Sequence, residues 1–160
     1  MDTSVSPNRI PWPPILYLIA ATIAVTLHRL VPLPWPEGPV MMVLAAIGLC
    51  LMCAALALDF VTFLAFKRHK TTIMPNRGAS ALITDGPFAK SRNPIYLGNT
   101  MLVTGAGFLF GIAWLIPAGF IAAFAVQKLA IEREERHLES RFGAAWKAYA
   151  AQTPRWLLFR

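Results

Sequence analysis

Apolar residues run through this chain in long blocks, with little strand-like alternation. Ile15 to about Val31 (ILYLIAATIAVTLHRLV) is nearly unbroken and ends at His28 and Arg29. Val40 to about Phe66 is longer and closes at Lys67-Arg68-His69-Lys70. A third block, Ile95 to Ile131, carries a single charge, Lys128, close to its end. A helix crossing the hydrocarbon core needs about 17–25 apolar residues. The first two blocks therefore predict one crossing each. At ~1.5 Å rise per residue the third is long enough for two tight crossings, with a break near Gly111 to Pro117. Between the first two blocks, Pro32, Pro34, Pro36 and Pro39 remove backbone donors and fix φ, which predicts a stiff turn carrying an interfacial Trp35. From Glu132 onward the chain turns amphipathic. Phe142 to Tyr149 suits an interfacial helix, because Trp and Tyr favour the headgroup layer, and Pro154 to Phe159 returns apolar residues to the surface.

The fold class expected from this pattern is all-α: one integral membrane domain over 1–160 with four transmembrane helices and a cytoplasmic C-terminal helical cap. Two N-terminal crossings occupy 15–66. A core over 71–160 combines the hairpin 95–131 with the cap 132–160.

Composition agrees. Hydrophobic residues make up 56% and charged residues 14%, against about 25% charged in ordinary globular domains. The net charge of +7 points to lipid and not to nucleic acid, because the basic residues cluster beside apolar spans. Six Lys/Arg and a single acid, Asp85, lie between Lys67 and Arg92, which marks the cytoplasmic side. Both termini are then expected inside, at the bacterial inner (plasma) membrane. Met1 to Ile10 lacks the basic n-region and cleavage site of a signal peptide, so the first apolar run is expected to stay as an anchor. Cys50 and Cys53 share a C-x-x-C spacing with no polar partner nearby. They read as small packing residues, and no metal is expected.

Several residues carry chemistry. Asp59 is a carboxylate inside the second block, costly in lipid by a few kcal/mol; it is either functional or a structural polar contact. Pro94 can open a helix at its first turn, with Asn93 as N-cap. The exposed amides and the Arg92 guanidinium favour a carboxylate, and Tyr96 adds an aromatic face and a hydroxyl. The plainer alternative is an interfacial helix start with Arg92 reaching phosphates. Gly98, Gly105, Gly107 and Gly111 thin the third block and admit either another helix or a flat ligand. On a helix Lys128, Glu132 and Glu135 share one face, and Glu134, Leu138 and Arg141 another. One of these carboxylates can balance a sulfonium or ammonium charge or accept bonds from ribose hydroxyls. Equally, they can form surface ion pairs with Arg133, Arg136 and Arg141, worth under about 1 kcal/mol each.

Taken in order, Gly86-Pro87-Phe88, Arg92-Asn93-Pro94-Ile95-Tyr96-Leu97-Gly98, Glu134-Glu135-x-x-Leu138, Phe142-Gly143-x-x-Trp146-x-x-Tyr149 and Pro154-Arg155 resemble the integral-membrane methyltransferases of the isoprenylcysteine carboxyl methyltransferase and phospholipid methyltransferase superfamily. The resemblance covers about residues 70–159. Three positions depart from the family pattern: Asn93 stands for histidine, Trp146 for tyrosine, and Lys128 where the prenylcysteine enzymes tend to carry arginine. The resemblance implies S-adenosylmethionine as methyl donor, leaving as S-adenosylhomocysteine, and makes 71–160 the cofactor-binding core. It places Arg92, Asn93, Pro94, Tyr96, Leu97 and Gly98 along the cofactor and lets it approach at Gly105. Glu134 and Glu135 then contact its polar groups, with Arg92 and Glu135 as the catalytic pair. The acceptor is expected to be lipophilic and to enter laterally from the bilayer. A carboxylate or thiolate needs no base, and no histidine sits in the motif, so an isoprenylcysteine-like anionic acceptor is favoured. The alternatives are a phospholipid amine of the phosphatidylethanolamine type, or a non-catalytic channel or scaffold protein. The sequence leaves the oligomeric state open.

Overall fold

The computed structural model describes residues 12–70 and 81–157. Among them there are helices and turns and no strand. Helix α1 spans Trp12–Leu30 and α2 Pro39–Arg68. A 3-10 turn at Gly86–Ala89 leads to α3 (Pro94–Phe110), followed by α4 (Leu115–Val126). A π-helical turn, Gln127–Ile131, joins α4 to α5 (Glu132–Phe142), and α6 (Ala144–Gln152) follows. The expectations that fall on residues 1–11, 71–80 and 158–160, including Arg77 in the basic connector and the last apolar residues Leu158 and Phe159, lie outside the described residues.

The punctuation is local chemistry. Proline opens α2 and α3 at their first turns, where its missing N–H has no intrahelical acceptor to lose. Gly111, at φ 68°, closes α3 in the left-handed region, and the Ile112 amide returns to Gly107 O at 3.0 Å. The predicted break at Gly111 to Pro117 is shorter in the structure: the turn ends at Trp114, and Pro117 sits in the first turn of α4, where proline is tolerated. Trp35 of the proline-rich loop lies over Gly111, where an added Cβ would meet its ring at 3.2 Å. The Trp114 indole donates to Val31 O at 2.8 Å. The loop between α1 and α2 and the turn between α3 and α4 are thereby tied together by tryptophans.

Among the described residues three helices are long and apolar enough to cross a membrane: Trp12–Leu30, Pro39–Arg68 and the continuous run Leu115–Phe142. Where the hydrophobic blocks predict four crossings, α3 is a shorter apolar helix of 17 residues, bounded by Pro94 and Gly111. The predicted boundary between the last crossing and the cap, at Glu132, is likewise no break in the backbone. The change there is one of polarity alone, with neither Gly nor Pro to stop the helix, and it continues through the π turn into α5.

Packing is closest between α2 and α3. A Cβ on Gly48 would fall 2.5 Å from Gly105 O and from Leu109 N, and one on Gly105 would fall 2.9 Å from Gly48 O. The two backbones therefore touch, as small residues permit in membrane helix pairs. On the other face of α3, the Tyr17 hydroxyl of α1 meets Thr100 Oγ1 at 2.7 Å and Tyr96 O at 3.0 Å. Tyr17, Ala122, Val126, Ala130 and Ile131 form the buried core around that point. Large apolar side chains such as Met42, Phe60, Phe63, Phe120 and Phe124 stay exposed, as residues facing lipid do.

Candidate functional site

The polar site assembles where the N-terminus of α3, the start of α5 and the C-terminal tail meet. Glu135 is its centre. Arg92 Nη1 approaches Glu135 Oε1 at 3.1 Å, with side chains only 12% and 14% exposed. Arg155 from the tail grips the same carboxylate as a fork, Nε to Oε1 at 3.1 Å and Nη2 to Oε2 at 2.6 Å. Two parallel bonds from one guanidinium are the strong form of this contact. The Glu135 hydrogen bond holds the Arg155 guanidinium above its ordinary pKa, so it is a fixed cation. Arg92 also lies 5.6 Å from the centre of the Trp146 ring, within cation–π range.

The tail is strapped onto the α3 entry by backbone. The Arg92 amide donates to Pro154 O at 3.0 Å. Asn93 Nδ2 donates to Arg155 O at 3.1 Å, and Ser91 Oγ to the same carbonyl at 3.3 Å. Asn93 stands at the N-cap position of α3 but makes no side-chain cap bond. Its amide is drawn to the tail instead, and its backbone N–H is satisfied by Ser91 Oγ at 3.1 Å. The Trp156 indole donates to Gln127 Oε1 at 2.7 Å, which lands the tail on the π turn. Tyr149 donates to Phe88 O at 2.7 Å, and burial pushes its hydroxyl well above the ordinary pKa. It is a neutral donor tying α6 to the 3-10 turn.

Next to this cluster the Tyr96 hydroxyl donates to Glu134 at 2.9 and 3.1 Å. The structure thus brings Arg92, Asn93 and Tyr96 together with Glu134 and Glu135. Pro94 is buried at the first turn of α3 and Leu97 is half-buried on it. Gly98 and Gly105 face away from the acids, toward α2. A Cβ on Gly98 would lie 2.5 Å from Asp59 Oδ1, so Asp59 occupies the space the glycine leaves, and that oxygen is buried without a hydrogen-bond partner. Glu132, expected on one face with Lys128 and Glu135, pairs with Lys128 at 2.6 Å and leaves Glu135 to the arginines. Sequence reasoning gave no role to Arg155, Ser91, Gln127 or Tyr17. Only Arg155 left a signal, as the closing Pro-Arg of the ordered motifs.

Two donor or acceptor atoms in this neighbourhood are buried without a hydrogen bond: Arg92 Nε and His137 Nε2. Buried polar groups are normally satisfied, and an unused guanidinium N–H of Arg92 suits an anionic group of a ligand.

A family model described as phospholipid methyltransferase matches residues 43–145, from the first third of α2 into α6. Among curated proteins the chain is similar to the nickel-cobalt-cadmium resistance protein NccN of Alcaligenes xylosoxydans xylosoxydans, 36% identical over 78 residues. That alignment covers 49% of this chain and 36% of NccN, so the chain spans about a third of that relative's length. No solved structure matches.

Proposed function

We propose, for a chain that belongs to the phospholipid methyltransferase family, that it carries a methyl group from S-adenosylmethionine to a lipophilic acceptor held in the bilayer. The family implies methyl transfer at a membrane. The cofactor, the acceptor and the residues are our reading. The observation that supports it most is the buried Glu135 between Arg92 and Arg155, set where the polar tail meets apolar helices. In this reading the acid–arginine cluster marks the cytoplasmic end, α3 completes a fourth crossing, both termini lie inside, and residues 71–160 form the cofactor-binding core.

S-adenosylmethionine supplies a methyl group on a sulfonium, whose in-line displacement needs positioning more than covalent help. The chain's own residues are suited to positioning. Arg92 offers its unpaired Nε to an anionic group, and Glu134, oriented by Tyr96, presents a fixed carboxylate. Asn93 holds the tail over the site, Pro94, Leu97 and Gly98 form the first turns of α3 beneath it, and Trp146 and Trp156 keep water from the cluster. Gly105 serves the α2–α3 seam and, in this reading, contributes by letting α3 lie close.

An isoprenylcysteine-like carboxylate or thiolate acceptor brings its own nucleophile. A phospholipid amine, which the family's description favours, needs a proton acceptor; the candidates are His69, 2.9 Å from Asp85, and Asp59. Calorimetric titration of S-adenosylhomocysteine into the purified protein in detergent tests the cofactor, and absence of binding removes the proposal. A methyl-transfer screen over lipophilic thiols, carboxylates and amines, read by mass spectrometry, identifies the acceptor.

A further inference from the structure

We propose that Arg155 and the cofactor compete for Glu135, making the tail segment Pro154–Leu157 a latch over the site. This rests on the methyltransferase reading above and adds a role for the tail. Both oxygens of Glu135 are engaged by guanidiniums: Oε1 by Arg92 and Arg155, Oε2 by Arg155 alone. Three of that carboxylate's roughly four acceptor sites are then taken, and two guanidiniums already balance its charge, so it has little to offer a ligand's ammonium. For Glu135 to serve as the counter-ion of a bound cofactor one of the two arginines has to give way, and their burial differs.

Arg92 is the more deeply set, its side chain 12% exposed and lying over the Trp146 ring. Arg155 is 29% exposed against 12% for Arg92, so water replaces its contact at less cost than that of Arg92. The tail backbone is held by three bonds: Arg155 O accepts from Ser91 Oγ and Asn93 Nδ2, and Pro154 O from the Arg92 amide. When the fork lets go, the remaining ties of the segment are those bonds and the Trp156–Gln127 contact. The guanidinium on this reading is a stand-in cation that the ligand's ammonium, common to S-adenosylmethionine and S-adenosylhomocysteine, displaces.

The test measures binding and tail opening in the full chain, wild type and Arg155→Gln. S-adenosylhomocysteine is expected to bind the variant about fivefold tighter, the size of a partly exposed ion pair. Arg155→Lys, which keeps the charge but cannot form the fork, is expected between the two. In wild type, the same ligand is expected to speed hydrogen exchange of the Arg92 amide, whose acceptor is Pro154 O, and trypsin cleavage after Arg155. Equal or weaker binding by Arg155→Gln, or an Arg92 amide equally protected with and without ligand, overturns the latch while leaving the methyltransferase reading in place. Failure of both wild type and variant to bind the ligand overturns that reading and the latch together.

Discussion

Two carboxylates in this molecule are each flanked by two basic side chains, and they behave as opposites. Glu135 lies between Arg92 and Arg155 with its side chain 14% exposed. Asp85 lies between Arg68, at 3.9 Å, and His69, at 2.9 Å, with its side chain 52% exposed. Charge inventory does not separate them. Burial does, because a desolvated charge must be paired while a wet one is merely screened. The difference explains why Glu135 organises three chain segments. Asp85 joins only the end of α2 to the approach to the 3-10 turn.

The largest effect expected from this contrast is at Glu135. Glu135→Gln leaves two guanidiniums, one nearly buried, facing a neutral amide, and loss of one partner of a buried pair costs about 3–5 kcal/mol. A fall of that size in stability, followed by thermal or denaturant unfolding in detergent, is expected together with loss of S-adenosylhomocysteine binding. Adding Arg155→Gln to the same chain should restore part of the stability, since the second substitution removes the charge left unpaired. If Glu135→Gln unfolds no more easily than wild type, the buried cluster is not what holds α5, the α3 entry and the tail together.

Asp59 sharpens the comparison as a carboxylate with no partner among the described residues. Its Oδ1 is buried against Gly98 in the α2–α3 seam. An acid in a membrane span carries a cost of about 2.5–3.5 kcal/mol at the helix centre, and less toward the end where Asp59 lies. Asp59→Asn keeps the shape and removes the charge, so a gain of about 1 kcal/mol in stability is expected, measured by the same unfolding assay. Methyl transfer that survives the substitution makes Asp59 a packing contact of Gly98. Transfer lost with cofactor binding intact makes it part of the acceptor site, and a loss of stability refutes the reading of an uncompensated charge.

The sequence carried the helical elements and the motif that builds the α3 entry, because prolines, glycines and long apolar blocks act locally. It also marked Arg92, Tyr96, Glu134 and Glu135, which α3 and α5 bring to one place. Other features depend on contacts between distant segments, which no local pattern encodes. Asn93 looked like an N-cap, yet the tail carbonyl of Arg155 outcompetes the helix for its amide. Gly98 and Gly105 admitted either another helix or a flat ligand, and only the fold shows Asp59 and the backbone of α2 lying against them. The π turn at Gln127–Ile131 leaves no compositional trace; it shows only where Trp156 docks. Such turns inside helices often sit at functional places.

The smallest effect belongs to Asp85. Asp85→Asn removes the shared acceptor of Arg68 and His69, both at the wet end of α2. Exposed pairs contribute at most about 1 kcal/mol, so stability should change by less than that. The sharper measurement is its dependence on salt. At 1 M ionic strength the screening length falls to about 3 Å, shorter than the 3.9 Å separating Arg68 from Asp85, and the difference between Asp85→Asn and wild type should vanish. The Glu135→Gln difference should persist at the same salt, because ions do not enter the space between Glu135 and its arginines. Equal salt sensitivity of the two variants would place both carboxylates in the same solvent and dissolve the distinction on which the site assignment stands.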